Sequence, residues 1–257
     1  MTDERLGGLW SGRELAVKEE ALDLLLSGAR SLGLELSEGE LEQFGKYYAS
    51  LSTWNTRINL TAITEEKDVV VKHFLDSLTC LKATDFPDGC RTLDVGAGAG
   101  FPGIPLKIVR PGIELTAMDS VEKKLGFLRH VAEELGLREL RTIHGRAEDL
   151  GRVGDHRERY SRVVARAVAS LAVLTEYCLP FCRVGGVLVA MKGPSAAEEV
   201  AAAGRAIETL GGRVRGIVEL DLPGDGGARR LVVIDKERPC PPDYPRRAGV
   251  PEKRPLK

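Results

Sequence analysis

The sequence is poor in aromatic residues, cysteine and histidine, and these shortages exclude several classes of protein. Its five cysteines form no CxxC pair, so neither a disulfide framework nor a zinc or other metal site is indicated. Its four histidines are scattered, and no set of nucleophile, base and orienting acid is apparent. No run of 18 apolar residues occurs, and the first residues, MTDERLGG, lack the apolar part of a signal peptide. We therefore expect a cytoplasmic protein without a membrane span.

Charge is balanced overall but unevenly distributed. The 257 residues have a formal net charge of −1, yet residues 228–257 carry nine basic and four acidic side chains. Arg246, Arg247, Lys253 and Arg254 lie in a proline-rich tail at the C-terminus. Such a segment suits a polyanionic partner, because contacts from Lys and Arg to phosphate supply most of the non-specific affinity for nucleic acids. Considered alone, the charge favours a tail that is simply solvated.

Hydrophobic periodicity divides the chain into three parts. Residues 1–88 show helical patterns over 13–32, after Ser37 and over 65–81, and Ser37 with Glu40 predicts a capping box. We expect His73 and Asp76, one helical turn apart, to form a hydrogen-bonded pair rather than a catalytic one.

In residues 89–238, apolar strands alternate with helices, which predicts a mostly parallel sheet covered on both faces. The last two strands, 213–221 and 229–236, are joined by a glycine-rich turn and form a hairpin, so one strand should be antiparallel. Residues 239–257 are rich in proline and should be extended rather than helical.

The stretch LDVGAGAGFPGIP, residues 93–105, predicts a strand, a tight turn and a helix start. Gly96, Gly98 and Gly100 remove side chains where the backbone bends and a ligand approaches. With Gly103 the loop satisfies GxGxxG, and Asp119 follows at the end of the next strand, where a carboxylate that binds ribose is expected. Asp119 is also a good helix N-cap. These features fit a nicotinamide dinucleotide as well as another nucleoside cofactor.

Three details favour S-adenosylmethionine over a dinucleotide. Asp94 lies inside the strand, and a carboxylate there suits a cationic amino group better than a pyrophosphate. Phe101 and Pro102 occupy the helix start, where a pyrophosphate requires free N–H groups that proline lacks. The terminal hairpin is not expected of a dinucleotide domain. The segment GRAED (145–149) follows the third strand, and Glu148 in it would face the base of the cofactor. A turn followed by a helix cap explains this sequence nearly as well.

With these segments assembled, the chain resembles the glucose-inhibited division protein B family, bacterial 16S ribosomal RNA guanine-N7 methyltransferases that depend on S-adenosylmethionine. The resemblance runs from about Trp54 to the C-terminus. It rests on WNTRINLTAI, HFLDSL, LDVGAGAGFPGIPLKIVRP, AMDSVEKKLGFLRHV, GRAED, ARAVASL, MKG and YPRRAGVPEKRPL. The last four motifs are the specific ones, since a generic methyltransferase shares only the glycine loop.

The resemblance implies a class I methyltransferase fold of the α/β class, which is Rossmann-like with a seven-stranded, mostly parallel sheet and one antiparallel strand. An N-terminal helical subdomain (1–88) would precede the cofactor-binding domain (89–238) and the basic tail (239–257). The family holds its cofactor at the positions that match Gly96, Phe101, Ala147, Glu148 and Arg166. Asp94, Gly98, Gly100 and Asp119 join them on the argument from the glycine loop.

The resemblance also implies the reaction and the partner. Guanine N7 has an in-plane lone pair and no proton to lose, so no residue is expected to act as acid or base. Arg166 and Lys192, at the ends of the fourth and fifth strands, are the candidates for positioning the RNA. The tail residues Arg246, Arg247, Lys253 and Arg254 would contact phosphates of 16S rRNA, either free or within a 30S particle.

We expect a monomer that needs no metal. A nicotinamide oxidoreductase and an RNA-binding assembly factor without enzymatic activity are the alternatives that the sequence leaves open.

Overall fold

The computed structural model describes residues 18–166 and 169–256. Two long helices precede the sheet, α1 (Glu19–Ser31) and α2 (Glu38–Asn55). The start of the predicted 13–32 pattern lies outside the described residues. The capping box is confirmed: Ser37 Oγ accepts the N–H of Glu40 at 3.3 Å, and the Glu40 carboxylate accepts the N–H of Ser37 at 2.7 Å.

The third helical pattern is interrupted where a single helix was expected. The short helices α3 (Glu66–Val69), α4 (Asp76–Leu78) and α5 (Cys80–Ala83) flank a π-helix, Val70–Leu75. A π-turn widens the backbone and shifts the side chains that follow, and such turns are frequent at functional sites. The hydrophobic pattern could not distinguish it from an α-helix, because both bury the same apolar face.

Within the described residues, seven strands form one sheet in the order β3-β2-β1-β4-β5-β7-β6. Strand β7 is antiparallel to both of its neighbours and the other pairs are parallel, which confirms the prediction of one reversed strand. The strands are β1 (Arg91–Val95), β2 (Glu114–Asp119), β3 (Leu140–His144), β4 (Tyr160–Arg166), β5 (Cys182–Lys192), β6 (Gly212–Leu222) and β7 (Gly227–Lys236).

Helices cover both faces of this sheet, and their buried side chains form two hydrophobic clusters in the described ranges. This is why central strands such as β5 are apolar on both sides, with Val187 to Met191 all buried. The helices between the strands are α6 (Gly103–Val109), α7 (Glu122–Glu134), α8 (Ala147–Leu150), α9 (Leu171–Cys178) and α10 (Ala196–Thr209). None of the helices in the described ranges is both long and apolar enough to cross a membrane.

The N-terminal helices share a hydrophobic cluster with the sheet rather than packing apart from it. Phe44 and Phe74 belong to the same buried cluster as Phe101 and Phe127. The Tyr47 ring lies 5.3 Å from the Phe101 ring, so α2 contacts the glycine loop directly. The core is therefore continuous across residue 88. The division of the chain into two parts at that residue stays a prediction.

The C-terminal tail differs from the extended segment that was predicted. It ends in one helical turn, α11 (Val250–Lys253), with a proline at the start of the turn. Proline is well tolerated there because its missing N–H would have no partner within the helix anyway. The prediction of an extended tail is therefore wrong for this turn, and the proline content alone could not reveal it.

Candidate functional site

The glycine loop between β1 and α6 has the conformation that its composition predicts. Gly98 and Gly100 have φ angles of 57° and 97°, a region that L-residues with side chains rarely adopt. At Gly100 a Cβ atom would also approach the Tyr47 hydroxyl to 2.8 Å. The Tyr47 hydroxyl in turn donates a hydrogen bond to the Ala99 carbonyl. Helix α2 thus packs against the loop, and the missing side chain at Gly100 makes room for Tyr47.

Asp94 lies beneath this loop and is completely buried. Its Oδ2 accepts the N–H of Gly103 at 2.8 Å. Its Oδ1 has no hydrogen-bond partner among the residues that the structure describes. Burial raises the pKa of the Asp94 carboxyl to about 7. An unpaired buried carboxyl oxygen is costly to leave unsatisfied. Asp94 lies behind the cavity described below and is not one of the residues that line it.

Asp119, the last residue of β2, joins the glycine loop to the start of α7. Its Oδ2 accepts the N–H of Gly98 at 2.9 Å, and its Oδ1 accepts the N–H of Val121 at 2.8 Å. The N-cap residue of α7 is Val121, and α7 has no side-chain cap bond, so Asp119 is not the helix N-cap that the sequence also allowed. Each carboxylate oxygen has a second lone pair, so binding of ribose hydroxyls remains compatible with these bonds.

A cavity of about 210 Å³ opens beside Asp119 at the carboxyl ends of β1, β2 and β3. Open α/β sheets bind ligands at this edge. Four of the predicted cofactor residues line it, Gly96, Asp119, Ala147 and Glu148. Tyr177, Gly249 and Glu252 also line the cavity. These three were not predicted, because nothing in their local sequence places α9 and the tail against the glycine loop.

Arg166 and Phe101 lie in a separate cluster, between the loop and the N-terminal helices. The Arg166 guanidinium is centred 4.9 Å from the Phe101 ring, and the His73 ring stacks on the same ring at 4.4 Å. Arg166 donates to Asp76 Oδ2 at 3.0 Å and to the carbonyl of Lys72 at 3.0 Å. The π-helix therefore presents its backbone and side chains to the end of β4.

His73 and Asp76 bind Arg166, which corrects the expectation that they pair with each other. His73 Nδ1 lies 3.2 Å from Arg166 Nη2, and its Nε2 lies 2.8 Å from the Thr61 hydroxyl. Burial and the neighbouring guanidinium lower the pKa of His73 to about 4, so its ring is neutral at physiological pH. Asp76 also accepts Arg229 Nε at 2.8 Å. The 153-residue separation explains why sequence reasoning missed Arg229.

Two predicted RNA-binding side chains are engaged in ion pairs with carboxylates of the protein. Lys192 Nζ lies 2.8 Å from the Glu199 carboxylate, with a side chain 10% exposed. Arg246 Nη2 lies 2.6 Å from the Glu176 carboxylate, which is fully buried. We therefore remove Arg246 from the predicted phosphate contacts, because its guanidinium neutralises a buried charge. Lys192 could reach RNA only by leaving Glu199. The tail residues Arg247, Lys253 and Arg254 are exposed.

The chain is similar to one known protein family and to individual proteins over most of its length. The family described as rRNA small subunit methyltransferase G matches residues 40–229. A protein of Pelotomaculum thermopropionicum named Ribosomal RNA small subunit methyltransferase G is 54% identical over 234 residues, 91% of this chain and 98% of that protein. A protein of the same name from Roseiflexus sp. is 51% identical over 236 residues, 91% of this chain and all of that protein.

Solved structures are similar in fold. A protein of Corynebacterium glutamicum matches with a TM-score of 0.52 and 18% identity, covering 85% of this chain and 98% of that one. TrmN from Thermus thermophilus matches with a TM-score of 0.50 and 22% identity, covering 63% of this chain and 48% of that one. At these identities the likeness concerns the fold alone.

Proposed function

Because the chain belongs to the rRNA small subunit methyltransferase G family, we propose that it methylates N7 of one guanine in 16S rRNA with S-adenosylmethionine. The predicted fold, a class I methyltransferase with one reversed strand, agrees with this family and with the observed sheet order. The names of the relatives give an rRNA of the small subunit as their substrate. The nucleotide and the atom are part of our proposal.

The unpaired Oδ1 of Asp94 is the observation that carries the choice of cofactor. S-adenosylmethionine has an ammonium group that can donate to this oxygen. The pyrophosphate of a dinucleotide would place negative charge beside a buried carboxyl group, and Pro102 offers it no N–H at the start of α6. This contrast favours a methyltransferase over the nicotinamide oxidoreductase.

The other residues of the cavity suit the remaining parts of the cofactor. We propose that Asp119 accepts the ribose hydroxyls and that Ala147 and Glu148 contact the adenine, since all three line the same cavity. Gly96, Gly98 and Gly100 provide the close backbone approach. Arg166 and Phe101 act from the other side of the loop, where their contact fixes the loop against the π-helix.

The reaction requires the side chains only to align the two reactants. The cofactor supplies an electrophilic methyl group bound to a sulfonium. Guanine N7 attacks with a lone pair and loses no proton, so no general base is needed. His73, whose pKa is lowered to about 4, is a poor base near neutral pH, which agrees with this. The protein contributes by holding the two reactants in line and excluding water, effects that can be worth several kcal/mol.

N7 lies in the major groove, which is deep and narrow in A-form RNA, so the target guanine must be unstacked or in a loop. We propose that Arg247, Lys253 and Arg254 contact the surrounding phosphates, since all three are exposed on the tail that borders the cavity.

The test is methylation of 16S rRNA by the purified protein with labelled S-adenosylmethionine. Naked 16S rRNA and 30S particles lacking the modification are compared, and the nucleosides are analysed by mass spectrometry. We expect one 7-methylguanosine per rRNA. Label in another nucleoside would refute the N7 assignment. Binding of NADH without binding of S-adenosylhomocysteine, measured by calorimetry, would refute the cofactor assignment. RNA binding without methyl transfer would favour the assembly factor.

Arg166→Ala tests the second cluster. We expect it to abolish methylation while circular dichroism shows a folded protein, because Phe101 and the π-helix lose their shared partner. Arg213→Ala is a matched control, since Arg213 forms surface ion pairs on the edge strand β6. Wild-type activity of Arg166→Ala would refute the role given to Arg166.

A further inference from the structure

The C-terminal tail forms part of the cavity wall. Gly249 and Glu252 line the cavity together with Asp119 and Ala147, although more than 100 residues separate the tail from the glycine loop in sequence. Three side chains from the part of the chain that precedes the tail hold it in this position through specific hydrogen bonds.

The first of these side chains, Arg157, donates hydrogen bonds to three carbonyl groups of the tail. Its Nη1 donates to the Tyr244 carbonyl at 2.7 Å, and its Nη2 donates to the carbonyls of Cys240 at 2.7 Å and Pro241 at 3.0 Å. Backbone carbonyls of an irregular segment need such donors when water is excluded. Arg157 therefore fixes the start of the tail.

The second side chain, Glu176 on α9, fixes the middle of the tail. Its carboxylate is fully buried and accepts the Arg246 backbone N–H at 2.8 Å. The Arg246 guanidinium donates to both carboxylate oxygens, from Nε at 2.9 Å and 3.1 Å and from Nη2 at 2.6 Å. Glu176 precedes Tyr177, which lines the cavity. A bidentate pair of this kind fixes direction as well as distance.

The third side chain, Glu148, connects the tail to the cavity. Its Oε1 accepts the Gly249 N–H at 2.9 Å. Its Oε2 makes no hydrogen bond within the part of the chain that the structure describes, while the residue is 6% exposed and lines the cavity. One carboxylate oxygen thus holds the tail and the other is available to a ligand.

We propose that tail residues 244–252 form one wall of the cofactor site. Arg246 and Glu176 are positioning residues, because they hold this wall in place without contacting the cofactor. The proposal rests on the proposed function, because it takes the ligand of the cavity to be S-adenosylmethionine. Glu148 contacts both the tail and the ligand, so docking of the tail and binding of the cofactor are coupled. Such coupling is reciprocal: each event strengthens the other by the same factor.

The primary test is calorimetry with S-adenosylhomocysteine on the full-length protein. Arg246→Ala should weaken binding at least about tenfold, a change of about 1.4 kcal/mol. Because Arg246→Ala leaves Glu176 buried without its partner, the double variant Arg246→Ala with Glu176→Gln removes both charges and spares the fold. We expect the double variant to melt as a folded protein and to bind as weakly as Arg246→Ala. Arg213→Ala should bind within twofold of the wild type.

Two further measurements separate a positioning role from a merely structural one. Hydrogen exchange at the Arg246 and Gly249 amides should slow when S-adenosylhomocysteine binds the wild type, and should be fast in the double variant. In methylation assays the variants should raise KM for the cofactor and leave kcat near the wild-type value at saturating cofactor. Arg246→Lys keeps the charge and should recover part of the affinity.

The outcomes distinguish this inference from the function on which it rests. Folded variants that bind S-adenosylhomocysteine as tightly as the wild type would overturn the inference, and so would tail amides whose exchange is unchanged by the ligand. A wild-type protein that does not bind S-adenosylhomocysteine would instead overturn the proposed cofactor. A loss of kcat with an unchanged KM for the cofactor would also count against the wall.

Discussion

The buried carboxyl group of Asp94 predicts that cofactor affinity rises with pH. Its pKa is raised to about 7, chiefly by burial, while the Gly103 N–H and Arg166 oppose the shift and Asp119 adds to it. In the ligand-free protein near pH 6, Asp94 is therefore mostly protonated. The ammonium group of the cofactor favours the ionised form, so binding must displace this proton.

The size of the effect follows from the ionised fraction. With a pKa of about 7, this fraction rises from about one tenth at pH 6 to about nine tenths at pH 8, so the affinity for S-adenosylhomocysteine should rise about tenfold, or about 1.4 kcal/mol. His73 has a pKa of about 4 and does not change its charge in this window. Asp94→Asn keeps an acceptor for Gly103 but loses the charge. It should therefore bind more weakly at pH 8, by roughly ten- to a hundredfold if a charge-assisted hydrogen bond is worth about 1.5–3 kcal/mol.

The assay is calorimetry at pH 6, 7 and 8, repeated at each pH in two buffers that differ in ionisation enthalpy. The wild type should release close to one proton on binding at pH 6 and almost none at pH 8. Asp94→Asn should show a flat profile. A wild-type affinity that does not change with pH, or that falls as the pH rises, would refute the role given to Asp94.

The raised pKa of Asp94 also makes the stability of the protein depend on pH. The native state keeps a proton on Asp94 that the unfolded chain has already released above its ordinary pKa of 3.8. The contribution of Asp94 to the free energy of unfolding of the ligand-free protein should therefore fall as the pH rises from about 4 to about 7. Urea titrations of the wild type and Asp94→Asn over this range isolate the contribution, and parallel curves for the two proteins would contradict the shift.

Two other predictions concern the loop and the tail. Tyr47→Phe leaves the buried Ala99 carbonyl without its donor and should lower the free energy of unfolding by about 1–3 kcal/mol in urea titrations; an unchanged midpoint and slope would show that the hydroxyl does not support the loop. Changing Arg247, Lys253 and Arg254 together to alanine should weaken RNA binding and make the slope of log K against log salt shallower by about 0.7–0.9 for each phosphate that is no longer neutralised. An unchanged slope would remove these side chains from the RNA interface.

The elements predicted from sequence were those fixed by local pattern. The strand predicted just before the glycines is β1, because an apolar run followed by glycines allows little else. The reversed strand followed from a short turn between β6 and β7. Asp119 was predicted as a site residue because it ends the strand that follows the glycine loop, and Asp94 was predicted because a carboxylate inside the first strand suits a cationic group. Both predictions needed only local sequence.

The elements that were missed depend on contacts between distant parts of the chain. Asp76 lies between Arg166 and Arg229, 90 and 153 residues away. No local pattern indicates that an acidic residue on a helix will neutralise two arginines from the sheet. The π-helix was missed for another reason, since its apolar spacing is the same as that of an α-helix with the same buried face.

Arg246 shows how the same composition supports two opposite roles. An arginine in a basic, proline-rich tail suggests a solvated or phosphate-binding side chain, and its neighbour Arg247 is indeed exposed. Arg246 instead neutralises a carboxylate that α9 buries, and only the tertiary structure brings Glu176 to it. Isolated ionised carboxylates are too costly to bury, so the buried Glu176 itself requires a cation nearby. Under our proposal the tail has two roles within a few residues: Arg246 attaches it to α9 beside the cavity, and the exposed cations that follow contact RNA.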